Sequence, residues 1–322
     1  MPCKIYPEIV CKFVEICGAS RYNGAMKKVL LILIVTMLIA GVCVLSACGG
    51  GVPAQRAVGN YAPWLSGDDT TETTVYDVVT VADDGTSYHG TYTVNIRRAI
   101  SADVVVGEET VTAYSGYYVD SNLQMDNGDY VRTQATFGTD MAVLQTYMAR
   151  KDSLAGNGNI VTMTGKDADS VFSTTYRETK EDGTVVSENN ATIKHKSFQE
   201  APYVDNTTLY MLVRCLTTDT ASSMTLDVFQ YQNGATTNAR MGIASTTTID
   251  VPLMDKEDEE SRTKVACIPY SIAPTATFPG QGSAIAVYIA KDPYNGVIRP
   301  ICQFVEDKTT YSMVSTSTRK TA

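Results

Sequence analysis

Five Asx-Gly pairs punctuate this chain, at Asp84-Gly85, Asn127-Gly128, Asp182-Gly183, Asn233-Gly234 and Asn295-Gly296. Each sits between apolar or alternating segments, and such pairs take the positive φ that tight hairpin turns require. Five of them in one sequence predict an antiparallel meander. The flanks agree. Over 88–97, Tyr88, Gly90, Tyr92, Val94 and Ile96 alternate with His89, Thr91, Thr93, Asn95 and Arg97. That period of two turns one face toward a core. Residues 129–137, 141–149, 170–179, 184–195, 224–232, 285–291 and 297–305 are further predicted strands. No internal repeat of fixed period is present.

One segment breaks the pattern. Asp205-Asn206-Thr207-Thr208 offers helix N-cap chemistry. The run that follows, Leu209-Tyr210-Met211-Leu212-Val213-Arg214-Cys215-Leu216, is apolar on every side except at Arg214. Length alone does not separate a buried helix from a central strand. The cap, and the use of Leu and Met, favour a helix. The expected fold is therefore mainly β: a curved antiparallel sheet, a half-barrel meander, enclosing one short apolar helix. Arg214 has two readings. It could meet the carboxylate or phosphate head of a bound amphiphile in two-point fashion, or lie near the helix end and bond the last carbonyls or an internal Asp or Glu. The second is favoured, and either way a buried Arg needs a partner.

The N-terminal part reads separately. Lys27-Lys28, the apolar run to Val44, and Leu45-Ser46-Ala47-Cys48 have the layout of a secretory signal. The last four residues resemble the lipobox of bacterial lipoproteins. The resemblance implies cleavage after Ala47 and a diacylglycerol on Cys48. Two acyl chains anchor stably where one does not. An uncleaved transmembrane helix over 29–47 is the plain alternative. Met26 is the expected start, with 1–25 a gene-start error, 26–47 the signal peptide and 48–66 the anchor and a Gly-rich tether. One β-rich domain is expected over 67–318. The expected location is outside the cytoplasm, lipid-anchored to the cell membrane, or to the outer membrane in an organism with two.

Five of the 26 basic and two of the 35 acidic side chains lie in 1–47, so 21 basic and 33 acidic remain, a net charge of −12. That balance argues against a nucleic-acid partner, which needs a basic face. It argues equally against adhesion of the protein surface to anionic lipid. Cys48, Cys215, Cys267 and Cys302 survive processing. With Cys48 acylated, three remain, so at most one disulfide forms. Cys267–Cys302 is the preferred pair, and buried free thiols are the competing reading.

The C-terminal half resembles a family of bacterial envelope proteins of unknown function. Tyr203-Val204-Asp205 leading into Leu209 to Arg214 is similar to the family's Tyr-Asp entry to an apolar helix, although Val204 intervenes here. Ile249 to Leu253 with Thr263-Lys264-Val265 resembles its middle hairpin. Gly282 to Asp292, then Arg299-Pro300 and Cys302-Gln303-Phe304, looks like its final pair of strands, without the expected tryptophan. The resemblance implies a curved half-barrel around a helix, similar to lipoprotein carriers, able to hold an apolar ligand. It implies no chemistry.

No catalytic signature stands out. There is no G-x-S-x-G. Gly156-Asn157-Gly158 and Gly280-Gln281-Gly282 lack the third glycine of a dinucleotide loop. His89 and His195 have no ligand partners at a metal-site spacing. The acidic run Asp255 to Glu260 lacks the spacing of a calcium loop. No cofactor or metal is expected. The expected function is a non-enzymatic binding module for an apolar or amphipathic ligand or an envelope partner, seated at Leu209, Leu212, Val213 and Arg214. An envelope hydrolase acting on glycan or peptide, and a purely structural or adhesive module, are the alternatives.

Overall fold

Three of the Asx-Gly pairs build the same turn. The N–H of Gly85, Gly128 and Gly183 bonds back to the carbonyl of Ala82, Met125 and Lys180 respectively. In each, the glycine takes positive φ, between 84° and 85°. In each, the Asx side chain accepts from the backbone N–H two residues on, at Thr86, Asp129 and Thr184. This is a type I turn closed by a left-handed glycine, with an Asx cap. Asn295-Gly296 differs, since both residues have positive φ and Tyr294 and Val297 exchange backbone hydrogen bonds across them. Asn233-Gly234 lies outside the described residues.

The structure, a computed structural model, describes residues 69–138, 143–152, 157–166, 171–180, 182–194, 203–205, 213–214, 223–230, 235–253, 261–274 and 285–320. Among them 16 strands form one sheet. In chain order they are β1 (Thr70–Val81), β2 (Ser87–Val106), β3 (Glu109–Met125), β4 (Tyr130–Phe137), β5 (Val143–Asp152), β6 (Asn157–Lys166), β7 (Val171–Thr179) and β8 (Val185–Lys194), followed by β9 (Tyr203–Asp205), β10 (Ser223–Gln230), β11 (Ala235–Ile243), β12 (Thr247–Pro252), β13 (Arg262–Pro274), β14 (Ile285–Ala290), β15 (Ile301–Glu306) and β16 (Thr309–Lys320). Their spatial order is β8-β7-β6-β5-β4-β3-β2-β1-β16-β15-β14-β13-β11-β10-β9, and β12 pairs with β13 beside β11. The described ladders are antiparallel except β9–β10, which is parallel. The mainly β, antiparallel fold is as expected.

The sheet has to curve. Laid flat, 15 strands would span about 67 Å at ~4.8 Å each. Its two edges, β8 and β9, are consecutive in sequence and joined by residues 195–202. Nine peptide steps reach at most about 32 Å. The edges therefore lie no farther apart than that. Packing agrees, because Tyr176 of β7 and Met241 of β11 belong to one buried cluster with the central strands.

Cross-strand partners share a face. One row runs Val78, Tyr311, Phe304, Val287, Tyr270 across β1, β16, β15, β14 and β13. A second runs Tyr76, Tyr92, Leu123, Val131 across β1 to β4. These rows define the inner face. Gly90 lies between Val78 and Met125 in another inner row, where an added Cβ would come within 2.5 Å of the Met125 sulfur and 2.6 Å of the Gln124 carbonyl. Only a glycine lets the two strands approach there.

β2 and β3 outrun their neighbours. β1 pairs with β2 only as far as Arg97, and β4 with β3 only from Tyr117. The overhang bends at bulges around Ala102 and at positive φ on Ser101 and Ala113. It folds back over the outer face of β4 and β5. Gly107 donates its N–H to Gln134 Oε1 at 3.0 Å, Tyr118 its hydroxyl to the Val105 carbonyl at 2.7 Å, and Gln145 its amide to Glu109 Oε2 at 2.8 Å. Ala99, Val104 and Tyr114 form a second, smaller core there with Val111, Tyr118 and Leu144. This flap explains why β4 is buried on both sides from Thr133 to Phe137.

The expected helix falls largely outside the described residues. Val213 and Arg214 are described and helical, and Asp205, the expected cap, ends β9. The signal segment, Leu45, Ser46, Ala47, Cys48 and the tether lie outside them too, as do Leu209, Leu212, Cys215, His195 and the acidic run.

Candidate functional site

Glu72 stands in the inward phase of β1, in register with Thr74, Tyr76 and Val78, and is 1% exposed. A lone carboxylate there would be very costly. Arg214, 3% exposed, neutralises it from above the inner face. The contact is a two-point fork: Nη1 to Oε1 at 2.5 Å and Nη2 to Oε2 at 3.1 Å. The rest of the guanidinium is taken by backbone. Nε donates to the Arg299 carbonyl at 2.9 Å, and Nη2 also donates to the Ile298 carbonyl at 2.7 Å. Arg299 has a φ of 52°, which turns these two consecutive carbonyls toward the same cation. Its own guanidinium reaches the Tyr270 hydroxyl at 3.1 Å. Segments 142 and 85 residues apart in sequence thus meet on one side chain.

Below this pair lies a cluster of rings. Phe304 stacks on Tyr311 with centroids 3.9 Å apart, and Tyr76 meets Phe304 edge-on at 5.5 Å. Tyr92 meets Phe304 and Tyr311 edge-on at 6.1 and 5.6 Å. Both geometries suit ring quadrupoles. Burial pushes the hydroxyls of Tyr76 and Tyr92 above the usual range, and for Tyr76 the nearby Arg214 works against that rise. A small cavity opens between Glu72, Arg214, Tyr76, Tyr92, Ile301 and Phe304, with Thr74, Val94 and Ile96 completing the wall. Its volume is about 20 Å³, room for one water. It holds one carboxylate, already paired.

Of the residues expected to seat a ligand, Arg214 lines this cavity, and Val213 is buried in the main core without lining it. Arg214 has an internal carboxylate, Glu72, one of the two partners that the favoured reading offered it. Glu72 is the residue that the sequence analysis missed. The signal was available: it is the one charge among 70, 72, 74, 76, 78 and 80, the phase that carries Tyr76 and Val78. Elsewhere, His89 is exposed on β2, as expected. Among the described residues no three His, Cys, Asp or Glu side chains converge on a metal-sized site.

No family model matches the sequence, and no curated protein does. Among solved structures, a β-barrel-like protein of the domain of unknown function DUF1849 from Brucella abortus is similar, with a TM-score of 0.42 and 9% identity, over 77% of this chain and 98% of that one.

Proposed function

We propose that the protein is a non-enzymatic binding module, held outside the cytoplasm by lipid on Cys48, that takes an apolar or amphipathic ligand, or an envelope partner, against the inner face of its sheet. One observation carries the reading: a cavity walled by Tyr76, Tyr92, Val94, Ile96, Ile301 and Phe304 lies directly beneath the segment that bears Arg214. At about 20 Å³ it admits a water and not an alkyl chain. A ligand larger than a water has to move the Arg214 side chain, which lines the cavity. The ion pair to Glu72 sets the cost of that movement, and the ligand's apolar surface offsets it. The described lining of this cavity carries one carboxylate, already paired, where glycoside hydrolysis uses two carboxyl groups.

Native mass spectrometry of the protein purified from membranes, followed by solvent extraction, tests the proposal. A co-purified amphiphile is expected, together with saturable uptake of a fluorescent fatty acid or fatty alcohol. Val94→Ile, which adds one methylene group to a space the size of a water, is expected to weaken uptake. Absence of any bound molecule, with no saturable uptake of either probe, overturns it. The anchor is tested separately: radiolabelled palmitate should enter the chain and be lost in Cys48→Ser.

A further inference from the structure

Cys267 and Cys302 are fully buried and carry free thiols. They belong to β13 and β15, with β14 between. In a flat sheet, strands two apart are about 9.6 Å from one another, and the Cα atoms of a disulfide stand only ~4.4–6.8 Å apart. Three local features work against that separation. Cys267 is the ladder partner of Ala290, which is the last residue of β14 and carries only a methyl group. Ala290 donates its N–H to the carbonyl of Pro300, two residues before Cys302. Cys302 is the extra residue of a bulge, since Tyr288 pairs with Gln303 and Ile289 with Ile301. The two thiols consequently flank one small residue at a strand end, donate to the backbone carbonyls of Val265 and Pro300, and lie close enough to act on each other's ionisation.

From this geometry we propose that Cys267 and Cys302 form a disulfide when the chain folds in an oxidising compartment, a bond that rests on the extracytoplasmic reading for its oxidant and on the register for its partners. The contact with Cys302 draws the Cys267 thiol down, while the same contact, with burial, pushes Cys302 up. Cys267 therefore ionises first. Its thiolate attacks one sulfur of a disulfide oxidant, such as oxidised glutathione or an oxidised dithiol protein. One thiolate leaves, and a mixed disulfide remains on Cys267. Cys302 then gives up its proton and attacks Cys267 Sγ, expelling the second thiolate. Two electrons and two protons pass from the pair to the oxidant, which ends as two thiols. Both sulfurs are sealed in the finished core, so the exchange takes place once β13, β14 and β15 are in register but before the rest of the sheet closes over them.

The test uses the full chain in two samples. One is purified from the membranes of an expressing bacterium. The other is reduced, unfolded and refolded in a glutathione redox buffer. Each is alkylated in denaturant without reductant, digested and mapped. The expected result is a peptide joining Cys267 to Cys302 in both samples, with a melting temperature that drops by roughly 5–15 °C on reduction. In Cys302→Ala that drop disappears, and should this variant not fold, the peptide map decides alone. Both cysteines alkylated in the refolded chain, or either one joined to Cys215, overturns the pairing. A bond that forms on refolding but is missing from the membrane sample leaves the pairing intact and removes the export reading.

Discussion

On the inner face, beneath Arg214, rings from β1, β2, β15 and β16 close around one ion pair. On the outer face of β4 and β5, a single hairpin bends back and covers what would otherwise be a wet surface. The first arrangement joins residues 142 and 85 apart in sequence. The second joins residues 13, 27 and 36 apart. Contacts of short sequence separation can open as a local unit while the rest of the fold persists. Those that tie the two halves of the chain together fail only with the whole. The inner core should therefore report global stability, and the flap should report local opening.

The largest effect is expected at the ion pair. Arg214→Leu strands a buried carboxylate and should cost about 3–5 kcal/mol, read as a lower urea midpoint. The double variant Glu72→Leu/Arg214→Leu should recover most of that loss, because two apolar groups replace two desolvated charges. Equal losses in the single and double variants would show that the pair is not what the inner core depends on.

Next comes the flap. A Cβ at Gly116 would fall 2.3 Å from the Phe137 carbonyl and 2.4 Å from the Tyr114 hydroxyl, at a φ of 155°. The Tyr114 hydroxyl itself bonds the carbonyls of Tyr117 and Phe137. Tyr114→Phe should cost about 1–2 kcal/mol, and Gly116→Ala more. Amide exchange should accelerate at 99–116 and at β4 before it does at β1 or β15. Uniform acceleration would merge the two units into one.

Alkaline pH separates the cores in a different way. Burial raises Tyr118, beside the flap, to about 12, and raises the inner Tyr76 and Tyr92 as well. An unfolded tyrosine titrates near 10. Above that pH the unfolded chain loses protons that the fold retains, so stability is whole below about pH 10 and falls as pH rises toward 12. Of these three, Tyr118 should ionise first, and Tyr76 and Tyr92 only with global unfolding. The smallest effect is expected on β8, where Val186 is 55% exposed. Val186→Lys should change stability by no more than about 0.5 kcal/mol.

The legibility of this fold follows the same division. β2, β4, β7 and β8 were readable because alternation or an Asx-Gly pair marked them. β1 was hidden by Glu72, which puts a charge in the inward phase. β16 was hidden by a register shift at Val75/Tyr76, where Tyr76 pairs with Met313 after Val75 pairs with Ser315. That shift breaks the period of two in an already Thr- and Ser-rich strand. The flap could not be anticipated, because bulges around Ala102 reverse the phase midway along β2. β9, with three residues and a parallel partner, carries too little pattern to find. At the candidate site, Arg214's need for a partner was clear from its surroundings. The partner's identity was not, because 142 residues separate them.

The pairing of β1 with β16, Thr70 against Lys320 through to Thr80 against Thr309, has a consequence in time. A chain made from its N-terminus produces β1 early and its neighbour on that side last. Throughout synthesis of residues 82–308, one hydrogen-bonding edge of β1 stays open. An open edge is a template for pairing with any other extended chain. Stopping translation anywhere before Thr309 should therefore leave a species that associates with itself, and the twelve residues of β16 act as the closing stitch of this sheet.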